Sequence, residues 1–161
     1  MMKTCTKCGE TKPLSEFGKH RGTKDGLNSW CKVCDRKKYR EYIKTPSGIY
    51  TNIKGRLNYY KTKNLNISRK DFIEWYSSVE KRCIYCGIHE NDLATLGDSY
   101  NDKAHRLTVD CVVNEKGYIA GNLGLACLRC NSIKSDFFSY EEMRQLSQIF
   151  IKPKWEALLN G

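Results

Sequence analysis

The chemistry this chain can do is concentrated in four Cys-x-x-Cys pairs: Cys5/Cys8, Cys31/Cys34, Cys83/Cys86 and Cys127/Cys130. They account for eight of the nine cysteines, and Cys111 is the ninth. Each such pair makes a tight turn that aims two thiolates at one point, so two pairs complete a tetrahedral zinc site. Cys5 and Cys8 precede Gly9, as a zinc knuckle needs where the backbone bends around the metal, and Cys31/Cys34 close that site after 22 intervening residues. Cys83/Cys86 and Cys127/Cys130, 40 residues apart, suit a second ion. Two structural zincs are therefore expected. His20 is a possible ligand, but four thiols already fill the first tetrahedron, and it reads as a loop residue. The first twelve residues carry Lys3, Lys7 and Lys12 and no apolar run, so no signal peptide is expected. No window approaches a membrane span. The expected setting is cytoplasmic and reducing, where paired thiols hold metal rather than form disulfides.

The formal net charge of +10 is unevenly placed. Residues 1–82 hold 20 Lys and Arg against 8 Asp and Glu, whereas residues 83–161 hold 8 against 10. A basic first half joined to a near-neutral second half points to a polyanionic partner, DNA ahead of RNA, and to no membrane partner. Lys19, Arg21 and Lys24 lie in a glycine-containing loop. Arg36, Lys37, Lys38 and Arg40 cover a helix read over 34–44. Lys54 and Arg56 lie off the buried stripe of the next helix. These are the expected phosphate contacts. The alternative is a Lys-rich surface that only confers solubility.

Elements must position these groups. Residues 107–134 read LTVDCVVNEKGYIAGNLGLACLRCNSIK. Leu107, Val109, Cys111 and Val113 alternate as one face of a strand. Residues 114–117 supply a turn, 118–125 return as a second strand, and Cys127 opens a short helix through Asn131 and Lys134. Upstream, Leu14 and Phe17 are expected to pack over the first zinc. Residues 45–48 break the basic helix and form the best linker candidate. A helix over 48–63 should bury Ile49, Ile53, Leu57 and Tyr60. Ser68 with Asp71 caps a third helix that buries Phe72, Trp75, Tyr76 and Val79. Residues 87–106 read as an irregular insert, with His105 just before the first strand. Ser139 and Glu142 form a capping box for a helix to about Ile151, which Pro153 ends, and Trp155, Leu158 and Leu159 fold back onto the core. Three segments follow: a ribbon and basic helix at 1–46 that bind nucleic acid, a helical connector at 47–82, and a module at 83–161 with its C-terminal helix. A chain of 161 residues in pieces this small needs metal to staple them.

The stretch 107–134, with Cys83 and Cys86 upstream, resembles the HNH endonuclease superfamily. It is similar in particular to phage-type members that carry a four-cysteine zinc beside the active site, the recombination endonuclease VII type. The family pattern is Asp-His, then Asn, then His or Asn just after the second Cys-x-x-Cys; here these positions hold Asp110-Cys111, Asn122 and Asn131. The resemblance implies an α+β fold, a small zinc-stabilised ββα-metal (HNH, His-Me finger) module preceded by a zinc ribbon and basic helices. It also implies a Mg²⁺- or Mn²⁺-dependent DNA endonuclease. Asp110 and Asn131 would ligate the catalytic cation, Asn122 would orient the loop carrying the base, and the zinc at the second quartet would be structural. The family's general-base His is Cys111 here. Three readings fit Cys111: a buried structural thiol with His105 or metal-bound water in place of the base, a poor base in a slow enzyme, or the mark of a scaffold that has lost cleavage and kept DNA binding. An RNA-binding double zinc ribbon is a third function class.

Overall fold

The structure, a computed structural model, describes residues 1–60, 64–96 and 106–160. Residues 61–63 of the helix read over 48–63 and residues 97–105 of the insert read over 87–106, His105 among them, lie outside the described residues. The chain forms two compact units, Met1–Asn52 and Ile53–Gly161.

In the first unit, β1 (Met2–Thr4) and β2 (Thr11–Pro13) pair antiparallel around the Cys5/Cys8 knuckle. A second antiparallel pair, β3 (Phe17–Lys19) and β4 (Leu27–Cys31), delivers Cys31. α1 (Lys32–Tyr42) then starts two residues earlier than the sequence pattern suggests, with Cys31 as its N-cap. Phe17 packs with Cys5 and Cys31, supported by Leu27, Trp30 and Cys34. Leu14 does not share that role and stays half-buried, because it opens a 3-10 turn rather than a strand. Residues 45–48 do break α1, but they also begin α2 (Pro46–Tyr60). Thr45 Oγ1 accepts from the Gly48 N–H at 3.1 Å, and Pro46 takes the first helical position, where its missing N–H costs nothing. Gly48 is required there, since a Cβ would collide with the Tyr42 carbonyl.

In the second unit, the α2 residues Ile53 and Leu57 are buried as expected, but Tyr60 is 63% exposed. The helical stripe therefore ends before Tyr60. β5 (Leu65–Asn66) leads to α3 (Arg69–Ser78), whose N-cap Ser68 accepts from the Asp71 N–H and donates to the Asp71 carboxylate at 2.7 Å. Phe72 and Tyr76 are buried, with Trp75 and Val79 half-buried beside them. Residues 90–95 of the supposed insert form α4 (Glu90–Thr95), capped by His89 Nδ1, which accepts from the Asn91 N–H.

β6 (Thr108–Cys111) pairs antiparallel with β8 (Leu123–Ala126), setting Asp110 opposite Gly124 and Cys111 opposite Leu123. Leu107, Val109 and Cys111 are buried, but the strand stops at Cys111 and Val113 is 38% exposed. The return is not one strand. β7 (Tyr118–Ile119) pairs parallel with β5, and a turn at Ala120–Gly121 separates it from β8. α5 (Leu128–Lys134) follows, and α6 (Tyr140–Leu146) opens with the expected Ser139/Glu142 capping box. The helix does not end at Pro153. A wide π turn, Ser147–Ile151, precedes α7 (Lys152–Asn160), and the proline ring sits in the first turn of α7, where it is tolerated. Leu158 and Leu159 are exposed at 62% and 41%, so they do not fold back as their hydrophobicity suggests.

Candidate metal centres and the strand–helix site

The two cysteine quartets are built alike. In the first knuckle the Gly9 N–H donates to Cys5 O and the Cys5 N–H donates to Glu10 O, both at 2.9 Å. In the second, the Gly87 N–H donates to Cys83 O and the Cys83 N–H donates to Ile88 O, again at 2.9 Å. Gly9 and Gly87 adopt φ of 76° and 78°, a region that favours glycine. Each knuckle faces a pair at the start of a helix, Cys31 before α1 and Cys127 before α5, where the helix dipole favours thiolate.

Within each quartet the four Sγ atoms lie within 4.8 Å of one another. A Zn–S bond of about 2.3 Å makes a tetrahedral edge of about 3.8 Å. Cys86 Sγ and Cys127 Sγ are 3.8 Å apart. Four thiolates cannot crowd so closely without a cation. Hydrogen bonds from the Cys127 and Cys130 thiols push the Cys83 thiol far down, while the hydrogen bond Cys130 shares with Cys127 pushes Cys130 far up. Both quartets can therefore hold a structural zinc. The second is wholly buried, whereas in the first Cys8 is exposed and Cys34 half-buried.

The second quartet fixes α5 against the hairpin. The Ile84 N–H donates to Leu125 O at 2.8 Å, tying the knuckle to β8. Gly124 is the close-approach point, since a Cβ there would run into the Ile84 side chain. Side chains of a strand alternate, so Thr108 and Asp110 share one face of β6. Asn131, one residue past Cys130, donates its Nδ2 to Thr108 Oγ1 at 2.8 Å and so lies against that same face. This leaves the Asn131 carbonyl oxygen as its cation-binding atom.

Asp110 is 5% exposed. Its Oδ2 accepts from the Tyr85 hydroxyl at 2.6 Å and faces Lys134 Nζ at 3.4 Å. Both contacts fall on Oδ2, so Oδ1 is the oxygen left to ligate a cation. Burial, with the Asp110 carboxylate beside it, pushes the Tyr85 phenol far up, so Tyr85 serves Asp110 only as a donor. Lys134 is fully buried; its Nζ also donates to Asn114 Oδ1 at 3.0 Å and to Cys111 O at 3.2 Å. Hard oxygens from Asp110 and Asn131 suit Mg²⁺ or Mn²⁺, which keep waters and share phosphate oxygens rather than demand a full protein cage.

Cys111 is 1% exposed and its thiol donates to Asn114 Oδ1 at 3.8 Å. Asn122 is buried with its amide fully used: Oδ1 accepts from the Val113 N–H at 2.9 Å, and Nδ2 donates to Val113 O at 2.8 Å and Gly117 O at 2.7 Å. It pins both ends of the loop between β6 and β7. Asn122→Ala strands these backbone groups and should cost about 2–4 kcal/mol, read as a fall in denaturant midpoint. An unchanged midpoint would mean that the loop finds other partners.

Tyr85 and Lys134 escape a reading by motif. Tyr85 sits inside a metal-binding pair, where attention goes to the thiols. Lys134 was visible as the end of the helix, and its spacing of three from Asn131 puts both on one helical face. Nothing in the sequence marks the ammonium as buried. The basic residues Lys19, Arg21, Lys24, Arg36, Lys37, Lys38, Arg40, Lys54 and Arg56 are all exposed. Three have further contacts. Arg36 Nε donates to Lys32 O at 3.2 Å. Lys38 lies 4.9 Å from the Trp30 ring centroid, and Arg56 donates to the Tyr118 hydroxyl at 3.3 Å. Among the described residues, no helix is long and apolar enough to cross a membrane.

A β-hairpin and helix locked by four cysteines, with a second four-cysteine ribbon ahead of it, define an α+β, HNH-like zinc module. The solved structure of the rare-cutting HNH restriction endonuclease PacI is similar across 97% of both chains, at 27% identity and a TM-score of 0.58. An uncharacterized protein of Acanthamoeba polyphaga mimivirus is 35% identical over 91 residues, 56% of this chain. The match spans only 14% of that relative's length. No family model matches the chain.

Proposed function

We propose that this protein is a metal-dependent DNA endonuclease of HNH type that hydrolyses phosphodiester bonds. The observation that carries this reading is the placement of Asp110 and Asn131 on one face of β6, with Asp110 Oδ1 free of the contacts that hold Oδ2. The likeness to a DNA-cutting restriction enzyme supports it. Asp110 Oδ1 and the Asn131 carbonyl would hold Mg²⁺ or Mn²⁺. A cation bound there supplies Lewis-acid stabilisation of charge on the scissile phosphate. Tyr85 and Lys134 keep the carboxylate in one orientation, and Asn122 keeps the following loop stiff. The two zincs hold structure and take no part in the reaction.

Cys111 is a packed structural thiol in this reading, since it is buried and directed at Asn114. No side-chain base then stands at position 111 to take the proton of the attacking water, and cleavage is slow. The second reading, a scaffold that binds DNA without cutting it, rests on that same replacement. Plasmid nicking with Mg²⁺ and with Mn²⁺ separates the two.

DNA contact by α1 follows from the charge of the first unit. Each phosphate contact releases counterions, so the slope of log affinity against log salt reports their number. Arg36→Gln, Lys37→Gln and Arg40→Gln together should reduce that slope by about 2–3 on duplex DNA, at about 0.9 per contact. Lys38 is left in place because it covers Trp30. An unchanged slope would make the helix a solubilising surface.

A further inference from the structure

Lys134 places a fixed positive charge beside the carboxylate that would ligate the catalytic cation. Its Nζ is 3.4 Å from Asp110 Oδ2 and held by two more oxygens, Cys111 O and Asn114 Oδ1. The ammonium is fully buried, so it cannot reach DNA and water does not screen it. The other groups at the site, Thr108, Tyr85 and Asn131, are neutral. Among the described residues, no cluster of three or more His, Cys, Asp or Glu includes Asp110. Among the described residues in contact with the Asp110 carboxylate, Lys134 alone is charged, and it cancels the charge of Asp110.

We infer that the catalytic cation is loaded only together with DNA: Lys134 neutralises Asp110, and the backbone phosphate of the bound duplex supplies the negative charge that the site lacks. This rests on the proposed nuclease site and names how it is regulated. The substrate then completes its own metal site, and Lys134 keeps Asp110 ordered while suppressing cation binding in the free protein. The interaction of a buried ammonium with a divalent ion a few ångströms away is repulsive by an amount that easily exceeds about tenfold in affinity.

The test is a Mn²⁺ titration of zinc-loaded full-length protein, following free Mn²⁺ by electron paramagnetic resonance. Asp110→Asn is the reference that isolates the Asp110 site. Free wild-type protein should bind no more Mn²⁺ than Asp110→Asn below millimolar concentration. With a mixed-sequence duplex present, wild type should bind about one further ion per chain than Asp110→Asn with the same duplex. Lys134→Met should tighten Mn²⁺ binding by the DNA-free protein at least about tenfold, and Lys134→Arg, which keeps the charge, should not. A purely structural lysine would leave DNA-free Mn²⁺ affinity unchanged or weaker in Lys134→Met, and that result overturns the inference. Should Lys134→Met fail to fold, the wild-type titrations still decide. Micromolar Mn²⁺ binding to free wild type that Asp110→Asn removes overturns coupled loading and leaves the proposed site standing. No Asp110-dependent Mn²⁺ binding with or without DNA overturns both.

Discussion

Cys127→Ser should empty the second quartet and unfold the second unit while the first quartet keeps its zinc. Cys127 does three things at once. It is fully buried among the four thiols, it caps α5, and its Sγ accepts from the Cys130 N–H at 3.4 Å. A serine hydroxyl is a poor zinc ligand and too short to keep that geometry. Structural zinc is worth roughly 10–16 kcal/mol in small zinc peptides, as much as the whole stability of an ordinary domain. The hairpin cannot make up the loss, because β6 and β8 are four residues each and their buried partners come through the knuckle and α5. Zinc content should fall from two ions per chain to one, with loss of the cooperative transition of residues 53–161. Cys5→Ser should do the reverse, sparing the second unit. Two zincs and an unchanged melting curve in Cys127→Ser would refute the structural role of this site.

Much of this arrangement was legible because its determinants are local. The cysteine pairs fix two metal sites by spacing alone, and both quartets come together as read. Alternation over 107–111 and the capping serines at 68 and 139 mark elements whose ends are set by neighbouring residues. The misreadings arise where tertiary context decides. Residues 118–125 look like one strand, but Gly121, at φ of 77°, turns the chain so that Tyr118 pairs with β5 instead of β6. Pro153 reads as a helix stop, yet the π turn before it lets the helix resume. Leu158 and Leu159 follow an apolar pattern yet stay exposed. Lys134 is the sharpest case. A lysine in the last turn of a helix normally points to water and the C-terminal dipole. Here it turns inward, because the strand end and Asn114 offer three oxygens that a protonated amine can satisfy.

The second large effect concerns Asp110. Asp110→Ala removes the only carboxylate of the strand–helix site among the described residues and leaves Tyr85 and Lys134 without their shared acceptor. Loss of cleavage should be complete within detection, because Asn131 alone offers one neutral oxygen to the cation. Zinc content should stay at two per chain, since neither quartet touches Asp110, and DNA affinity without added divalent cation should hold because the basic residues lie elsewhere. Stability should fall, as an unpaired buried ammonium costs about 3–5 kcal/mol, so the comparison belongs at a temperature where the variant is folded. Cys111→His offers the complementary gain. A positioned base is worth about 10²–10⁴-fold, but Cys111 is buried against Asn114 and the larger imidazole must displace its neighbours, so a rise at the lower end is expected. Cys111→Ala should leave the cleavage rate close to wild type; a large loss would mean that the thiol itself takes part.

The most direct test of nuclease function is the nicking of supercoiled plasmid by zinc-loaded wild-type protein and by Asp110→Ala, side by side, with Mg²⁺, with Mn²⁺ and with neither. Wild type should convert supercoiled plasmid to nicked or linear forms only when a divalent cation is added, and Asp110→Ala should bind the same DNA without cutting it. Intact plasmid in every wild-type lane, or equal cutting by both proteins, would contradict an HNH-type nuclease centred on Asp110.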